Sequence, residues 1–469
     1  MERLTARSLG LWVVGMLWVF RGVDLQHTDL AVQQTLVSVR RDPSLFPSDL
    51  VADHAVSHPG LWLDLLACLP EGPGVLSALG LICTGAAGAL AVALARRLGA
   101  NRVGAALAGV AVLMPRMLPG WVEVLPVAPL SRSAVLPVIL GAWWLALRGR
   151  AEWAGLWTGV AVAIHPAVGL GAGLMVVSSS SRPVRTGGLA GLCAAPILLP
   201  FGLHSLETGW SMDWWRVVQA RWDHHLSVGD PWTMVGFAVA TIMLIRGRND
   251  RDPAARPAWA GLMVIAAAAS AVLGIRLGLL PPGLARLHPW HWCVGPVVWT
   301  IVQVCSRPNQ SRGQVLLTGA VVVAGVQGPW MGWRPAAASP PPSVIAYLES
   351  VEPNRPILSD PRRVPWVRLH TGRAVVASIK DGAEVIASPD FAQRWSGRIQ
   401  DLCGGTELPT GTAPGWIRYR EACGWPPRAA VLERLVVAHQ PAVVWSPHLP
   451  DGHWRVLERE ADGVWLTIP

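Results

Sequence analysis

Lysine, tyrosine and phenylalanine are nearly missing from this chain of 469 residues. Of its 39 basic side chains only Lys380 is a lysine, and there are two tyrosines and five phenylalanines. Charged residues make up 15% of the sequence, against 52% hydrophobic residues. This balance is too apolar for a soluble protein of this length. It predicts an integral membrane protein.

Motifs that would point to a known chemistry are missing as well. The chain has no Cys-x-x-Cys pair, so the sequence predicts neither a zinc site nor a redox pair of that kind. No strand-like run precedes Gly169, Gly171 and Gly173. These glycines are therefore interpreted as close helix-packing positions rather than as a nucleotide-binding loop.

The excess positive charge lies in short arginine clusters between apolar segments. The net charge is +9, and clusters of this kind mark cytoplasmic loops. The charge thus predicts a membrane topology with lipid as a partner, and no nucleic-acid partner. About eleven spans are predicted, although several are shorter than the roughly 20 residues that a crossing needs: 9–23, 74–95, 103–118, 134–147, 154–164, 167–177, 187–203, 233–245, 258–275, 291–305 and 314–330.

The order of these spans predicts the sidedness of the loops. The N-terminus is cytoplasmic, and the tail from about Pro335 is extracytoplasmic. The loops 24–60 and 204–231 share the side of the tail. The candidate polar residues therefore gather at the extracytoplasmic surface.

The segment around His165 and Pro166 allows two interpretations. It is either one Pro-kinked helix over 154–177 or two half-helices that meet at His165. The arginine clusters favour two half-helices, because a single helix would place every later arginine cluster on the opposite side of the membrane. His165 itself is either a buried structural histidine or a functional one, since ionisable residues inside membranes are often functional.

The predicted domain organisation has three parts. Residues 1–334 form a transmembrane helical domain, 335–343 are a Pro-rich linker, and 344–469 form a small soluble α/β domain. In the tail, helical stretches at 343–351, 390–402 and 427–438 alternate with the strand-like runs RPILSD, RAVVAS, PAVVWS and GVWLTI. An oxidising exterior would permit a disulfide between Cys403 and Cys423.

The first loop carries the strongest indication of chemistry. It packs several acids and His27 between two hydrophobic segments, with Asp29 and Asp49 as the leading candidates. A partly buried carboxylate can take a proton from an attacking hydroxyl, and a pair of carboxylates can hold a divalent cation. The alternative is that these acids solvate the loop and cap its helices, as Asp49 could cap a following turn.

Two further loops carry basic groups. In RWDHHL, a helix would put Arg221, His224 and His225 on one face, where they could receive phosphate oxygens. LARLHPWHW adds Arg286 together with His288 and His291 on the same predicted side. The alternatives are a polar surface helix anchored by tryptophans and an interfacial arginine that extends to the membrane surface.

The succession of four motifs resembles a bacterial family of polytopic membrane proteins of unknown function. The motifs are HTDLAVQQTLVSVRRDPSLFPSDL, GVAVAIHPAVGL, RWDHHL, and a tail with SDPRRVPWVRLHTGRAVVASIKDG and FAQRWSGRI. That family is distantly similar to the GT-C membrane glycosyltransferases. The resemblance implies a GT-C-like helix bundle in the inner membrane with an extracytoplasmic tail. In the tail the family-like positions are Arg373, Lys380, Trp395 and Arg398.

This resemblance implies an enzyme of cell-envelope glycan or glycolipid assembly that uses a polyprenyl-phosphate-linked sugar donor. Asp29 or Asp49 would be the base or the ligand of a divalent cation. The donor would be bound by the following candidates: His27, His165, Arg221, His224, His225, Arg286 and Lys380. A noncatalytic role in envelope assembly and, third, a transporter stay open, and so does the question of whether the protein is an enzyme.

Lys380 stands out because the chain otherwise uses arginine. An ammonium is compact and acts as a point charge, whereas a guanidinium needs a forked partner. We expect Lys380 to contact a phosphate or an acidic residue at the mouth of the site. The alternative is an ordinary surface lysine in a turn with Asp381.

Overall fold

The computed structural model is mainly helical with a small sheet. It describes Leu25, Cys423 and Trp425 and the following ranges: 27–55, 60–114, 117–118, 122–126, 128–226, 237–238, 240–242, 244–245, 255–306, 340–361, 365–386, 388–405, 429–447, 449–450, 453–460 and 463–467. Two of the predicted spans, 9–23 and 314–330, lie outside these residues, and 233–245 is described only in part.

The first loop folds into three short helices, α1 (Thr28–Arg41), α2 (Leu50–Asp53) and α3 (Leu61–Ala67). Helix α1 begins where the His27 side chain accepts a hydrogen bond from the Asp29 backbone N–H. It ends with two arginines, which suit the negative end of the helix dipole. Arg41 donates to the carbonyls of Leu66, Ala67 and Leu69, which fixes α1 against α3.

Eight apolar helices form the main body of the described chain. Proline stands at the first helical position in several of them, where its missing N–H costs nothing. They are α4 (Pro73–Arg97), α5 (Arg102–Leu113), α6 (Ser131–Leu147), α7 (Ala151–Ile164), α8 (Pro166–Ser179), α9 (Pro183–Thr208), α11 (Ala255–Arg276) and α12 (Val294–Cys305). A two-stranded pair, β1 (Met117–Leu118) and β2 (Val122–Glu123), and helix α10 (Met212–Trp222) connect them.

The bundle of eleven spans is not confirmed. Within the described residues two helices are long and apolar enough to cross a membrane, α4 and α11. Helices α5 to α8 are apolar but only 12 to 17 residues long. At 1.5 Å per residue a helix of 14 residues reaches about 21 Å, against a hydrocarbon core of about 30 Å. The two long helices favour a membrane location, on length and composition alone.

The segment around His165 is two helices, as the arginine clusters favoured. His165 breaks the chain with extended dihedral angles, and its Nδ1 accepts from the Val168 N–H at the start of α8. Helices α7 and α8 then run antiparallel, because Gly169 lies against Val162 and Gly173 lies against Thr158. His165 therefore stands at the tip of a helical hairpin.

The three glycines of α8 are helix-packing positions, as predicted. A Cβ on Gly169 would lie 2.5 Å from the Val162 Cα, and one on Gly171 would lie 2.4 Å from the Trp292 backbone oxygen. No side chain larger than hydrogen fits at such a separation. Gly171 thus lets α8 approach the backbone that precedes α12.

The tail builds a four-stranded sheet in the order β3-β4-β6-β5. Strands β3 (Ile357–Leu358) and β4 (Val443–Ser446) are parallel, whereas β6 (Gly463–Thr467) is antiparallel to both β4 and β5 (Arg455–Glu460). Three of the predicted strands are confirmed in the runs RPILSD, PAVVWS and GVWLTI. The run RAVVAS forms only one bridge, between Val375 and Ile357.

Strand β5 was not predicted, because its sequence RVLERE is charged. It lies at the edge of the sheet, where one side of a strand faces solvent and charged residues are tolerated. The predicted tail helices are confirmed as α13 (Pro342–Glu349), α15 (Pro389–Leu402) and α16 (Ala429–His439). The structure adds α14 (Pro365–Thr371) and a 3-10 helix over Lys380–Ile386. Cys403 and Cys423 form a disulfide.

Candidate functional site

Asp49 belongs to a fully buried ionic group that joins the first loop to the tail. As the cap of α2, its Oδ1 accepts from the N–H groups of Val51 at 2.9 Å and Ala52 at 3.3 Å. Its Oδ2 accepts from the Arg368 Nε at 2.6 Å and from the Val375 N–H at 3.1 Å. A carboxylate has about four acceptor sites. These contacts account for Asp49 without a substrate, and its catalytic role stays a prediction.

Arg368 is held between two carboxylates. Its other two nitrogens donate to both oxygens of Asp381 at 3.2 and 2.9 Å, and all three side chains are 0% exposed. Burial raises the pKa of Asp49, and the guanidinium opposes that shift. Burial alone would lower the pKa of Arg368, but the two carboxylates outweigh it and the pKa is raised. Arg368 therefore stays charged and ties α2, α14 and the 3-10 helix together.

Asp29 has three cationic or imidazole neighbours and keeps contact with solvent. Lys380 forms an ion pair with its Oδ1, Arg132 lies 3.5 Å from its Oδ2, and His27 lies 3.9 Å from the same oxygen. Burial would raise the pKa of Asp29, but Lys380, His27 and Arg132 together hold it well below its usual range. Asp29 is therefore ionised near neutral pH, and Lys380 has an acidic partner.

Four histidines meet around His291. The ring centroid of His291 lies 5.5 Å from that of His165, 6.1 Å from that of His225 and 5.1 Å from that of His288. His165 comes from the tip of the α7–α8 hairpin and His225 from the 3-10 helix Asp223–Leu226. The other two belong to the turns before α12. We call these four residues the histidine cluster.

Arg132 connects the histidine cluster to Asp29. It lies in the first turn of α6, 3.5 Å from the Asp29 carboxylate, and within electrostatic range of both His165 and His291. The site therefore combines α1, α6, the α7–α8 hairpin, the loop after α10, the turns before α12, and the tail. Five of the predicted residues come together here: His27, Asp29, His165, His225 and Lys380.

Arg221 and Arg286 contact backbone carbonyls. Arg221 is buried and donates its Nε to the Ile379 carbonyl at 3.3 Å. Arg286 donates to the Gly209 carbonyl at 2.7 Å and lies over the Trp214 ring at 5.0 Å. Their binding of phosphate stays a prediction.

The expected helical face that would join Arg221 to the histidine pair is not what the structure shows. Helix α10 ends at Trp222, and a 3-10 helix follows. Arg221 therefore contacts the tail, whereas the His225 ring lies against that of His291. The side chain of His224 lies outside the described residues.

Three charged residues of these groups were not predicted. Arg132 stands in the polar first turn of an otherwise apolar helix, Arg368 in the motif RRVPWVRLH, and Asp381 beside Lys380. For Arg368 and Asp381 the only signal was their position within the tail motifs, since no periodicity marks a pairing across 319 residues. Among the described residues, no group of three or more His, Cys, Asp or Glu side chains could hold a metal ion.

Comparison of the chain with family models, with curated proteins and with solved structures finds no match.

Proposed function

We propose that the protein is a membrane glycosyltransferase that transfers a sugar from a polyprenyl-phosphate donor at the extracytoplasmic surface. The observation that carries the proposal is the convergence of Asp29, Arg132, Lys380 and the histidine cluster from six separate parts of the chain. Such an assembly offers one carboxylate, two permanent cations and several imidazoles in one place. A phosphate-linked donor and a hydroxyl acceptor need these types of group.

The apolar surface supports a membrane location. Large apolar side chains are strongly exposed along several helices, as Val184 at 89%, Leu192 at 73% and Met263 at 67% show. Soluble monomers seldom expose such extended apolar surface, whereas lipid would cover it. The Cys403–Cys423 disulfide supports an oxidising exterior for the tail.

The proposed reaction assigns a distinct task to each kind of group. The acceptor oxygen attacks the anomeric carbon, the bond from that carbon to the phosphate oxygen breaks, and the polyprenyl phosphate leaves with an added negative charge. Arg132 and Lys380 would stabilise that charge. The acceptor hydroxyl must lose its proton to a base.

An imidazole of the site suits the role of base better than Asp29. Burial lowers the pKa of His165 and His291, so both rings are neutral and able to accept a proton. Asp29 is committed to its cationic neighbours, which hold its pKa well below its usual range against the effect of burial. Asp29 would instead accept a hydrogen bond from the acceptor and orient Lys380 and Arg132.

The test compares envelope glycans and glycolipids of a deletion strain that carries the wild-type protein or a variant. We expect Asp29→Asn to lower the output by about 100-fold or more, in the range of a lost catalytic group. Lys380→Met should lower it as well, and Lys380→Arg should restore part of it because the charge returns. Asp213→Asn is the matched control, since Asp213 is exposed and forms its ion pair with the exposed Arg216. Wild-type output from Asp29→Asn would refute the proposal.

A noncatalytic role in envelope assembly is the second candidate. The observation in its favour is that Lys380 and Arg132 already neutralise Asp29 within the protein. In that case purified protein would transfer no sugar from any polyprenyl-phosphate donor, while the deletion strain would still show an altered envelope. Sugar transfer by the purified full chain would exclude it.

A further inference from the structure

The fold brings the residues of the histidine cluster together from distant parts of the chain. Its members come from three parts of the chain, and His291, at the centre, is only 7% exposed. His291 touches the other three rings and also hydrogen-bonds the backbone of His288. Three imidazoles packed around a fourth are unusual, because protonating one makes it harder to protonate the next.

Local backbone geometry fixes these rings in place. His288 has a φ of 48°, a left-handed conformation that costs free energy in most residues and tends to persist at functional sites. His165 is held by its bond from the Val168 N–H. The turn that carries His291 is pressed against α8, where Gly171 meets the Trp292 backbone. The rings are therefore presented by constrained backbone.

Among the described side chains, Arg132 is a cation that acts on the cluster. Arg132 acts on His165 and His291, and the imidazoles act on one another. Of the helices packed against the His291 turn, α8 has no titratable side chain, α11 has only Arg256 and Arg276 near its ends, and α12 has only Cys305 at its end. Within the part of the chain that the structure describes, Asp29 is the acid that pairs with Arg132.

A cationic group of clustered imidazoles favours anions and couples their binding to protons. Without an anion, burial, Arg132 and the neighbouring rings oppose protonation of His165 and His291. An oxyanion placed among the rings would accept hydrogen bonds from their N–H groups and so raise their affinity for protons. By linkage, an anion that raises proton affinity must itself bind more tightly as the pH falls.

We propose that the histidine cluster, together with Arg132, binds a phosphate-type oxyanion and takes up protons as it does so. This inference rests on the proposed function in that the phosphate of a lipid-linked donor or product would be the natural ligand. A soluble phosphate or pyrophosphate has the same chemistry. The binding measurement needs no sugar transfer, so it is judged separately from the enzyme assay.

The test is calorimetry on the purified full chain in lipid nanodiscs. Pyrophosphate and a short-chain polyprenyl phosphate are titrated at about pH 6 and about pH 8, on either side of the ordinary histidine pKa. Two buffers with different ionisation enthalpies count the protons that are taken up. We expect tighter binding at the lower pH, by up to about tenfold per pH unit for each proton taken up.

Two variants and one control locate the site. His291→Gln removes the central ring, and His288→Asn keeps a residue that tolerates the left-handed conformation. Each should weaken binding by at least about tenfold and lower the proton uptake, since charge-assisted hydrogen bonds are the strong ones. His453→Gln, at an exposed histidine just before β5, should bind like the wild type. A thermal unfolding measurement shows that each variant is folded.

The outcomes separate the two proposals. Equal affinity at both pH values without proton uptake, or unchanged binding in folded His291→Gln and His288→Asn, would overturn the phosphate site. Loss of sugar transfer in Asp29→Asn without any phosphate binding would leave the proposed function standing and this inference refuted. Proton-linked binding of pyrophosphate but not of the polyprenyl phosphate would support the site as one for soluble phosphate and remove its support for the proposed function.

Discussion

A carboxylate that is buried with its cationic partner is less available to a ligand than one that remains in contact with water. Asp49 and Asp29 lie in the same loop, but Asp49 is 0% exposed and spends both oxygens on N–H donors, whereas the Asp29 side chain is 27% exposed. A group that is saturated by its own protein has no free acceptor site for a ligand. At the scale of single residues, Asp29 is therefore the better candidate for contact with a substrate.

Asp49→Asn is expected to destabilise the protein. The amide would place an NH₂ group where one carboxylate oxygen accepts two hydrogen bonds, so two buried donors would lose their acceptor. Each unsatisfied buried donor costs about 1–3 kcal/mol. Thermal unfolding of the full chain measures the effect. The matched control is Asp42→Asn in the same loop, because Asp42 is exposed and accepts its side-chain hydrogen bonds from the neighbouring Ser44. Unchanged stability with loss of activity would favour a catalytic Asp49 instead.

At the scale of elements, short-range signals predicted more than long-range ones. The break at His165, the packing glycines of α8 and three tail helices followed from proline, glycine and apolar periodicity, which act within a few residues. Strand β5 and helix α14 were missed because one is a charged edge strand and the other is only seven residues long. The pairing of Arg368 with Asp49 joins residues 319 positions apart, and no local pattern encodes it.

The close contact of α8 with the turn before α12 predicts that one methyl group added at Gly171 lowers the stability of the protein. In Gly171→Ala the new Cβ would lie 2.4 Å from the Trp292 backbone oxygen, so the two backbones must separate. We expect a loss of about 1–3 kcal/mol, as for other overpacked sites. Anion binding at the histidine cluster should fall too, because His291 lies in that turn.

Gly191→Ala is the control for Gly171→Ala. Gly191 lies in α9, where an added methyl group would meet nothing within 4 Å, so alanine should leave stability unchanged or raise it by roughly 0.5–1 kcal/mol. Unfolding and phosphate binding are measured for both variants. Equal behaviour of the two variants would show that the close approach at Gly171 does not matter.

At the scale of the whole molecule, the tail and the first loop fold against each other. The Asp49–Arg368 and Asp29–Lys380 ion pairs connect them, and the Arg394 guanidinium also donates to Asp53. The Trp214 indole of α10 donates to the Val385 carbonyl of the tail. One continuous cluster of buried apolar residues extends from the apolar helices into the tail sheet. The boundaries of the domains stay predictions. Wherever the tail lies, the first loop must lie on the same side of the membrane.

The sidedness itself is testable with single cysteines at two exposed serines. Ser343 lies at the start of the tail, and Ser181 lies in the loop between α8 and α9 that the arginine clusters place in the cytoplasm. In a background with the exposed Cys68 replaced by serine, we expect an impermeant thiol reagent to label Ser343→Cys in intact cells. Ser181→Cys should be labelled only after lysis. Because the tail is tied to the first loop through buried ion pairs, labelling in the opposite pattern would place the whole candidate site in the cytoplasm and contradict the extracytoplasmic reaction.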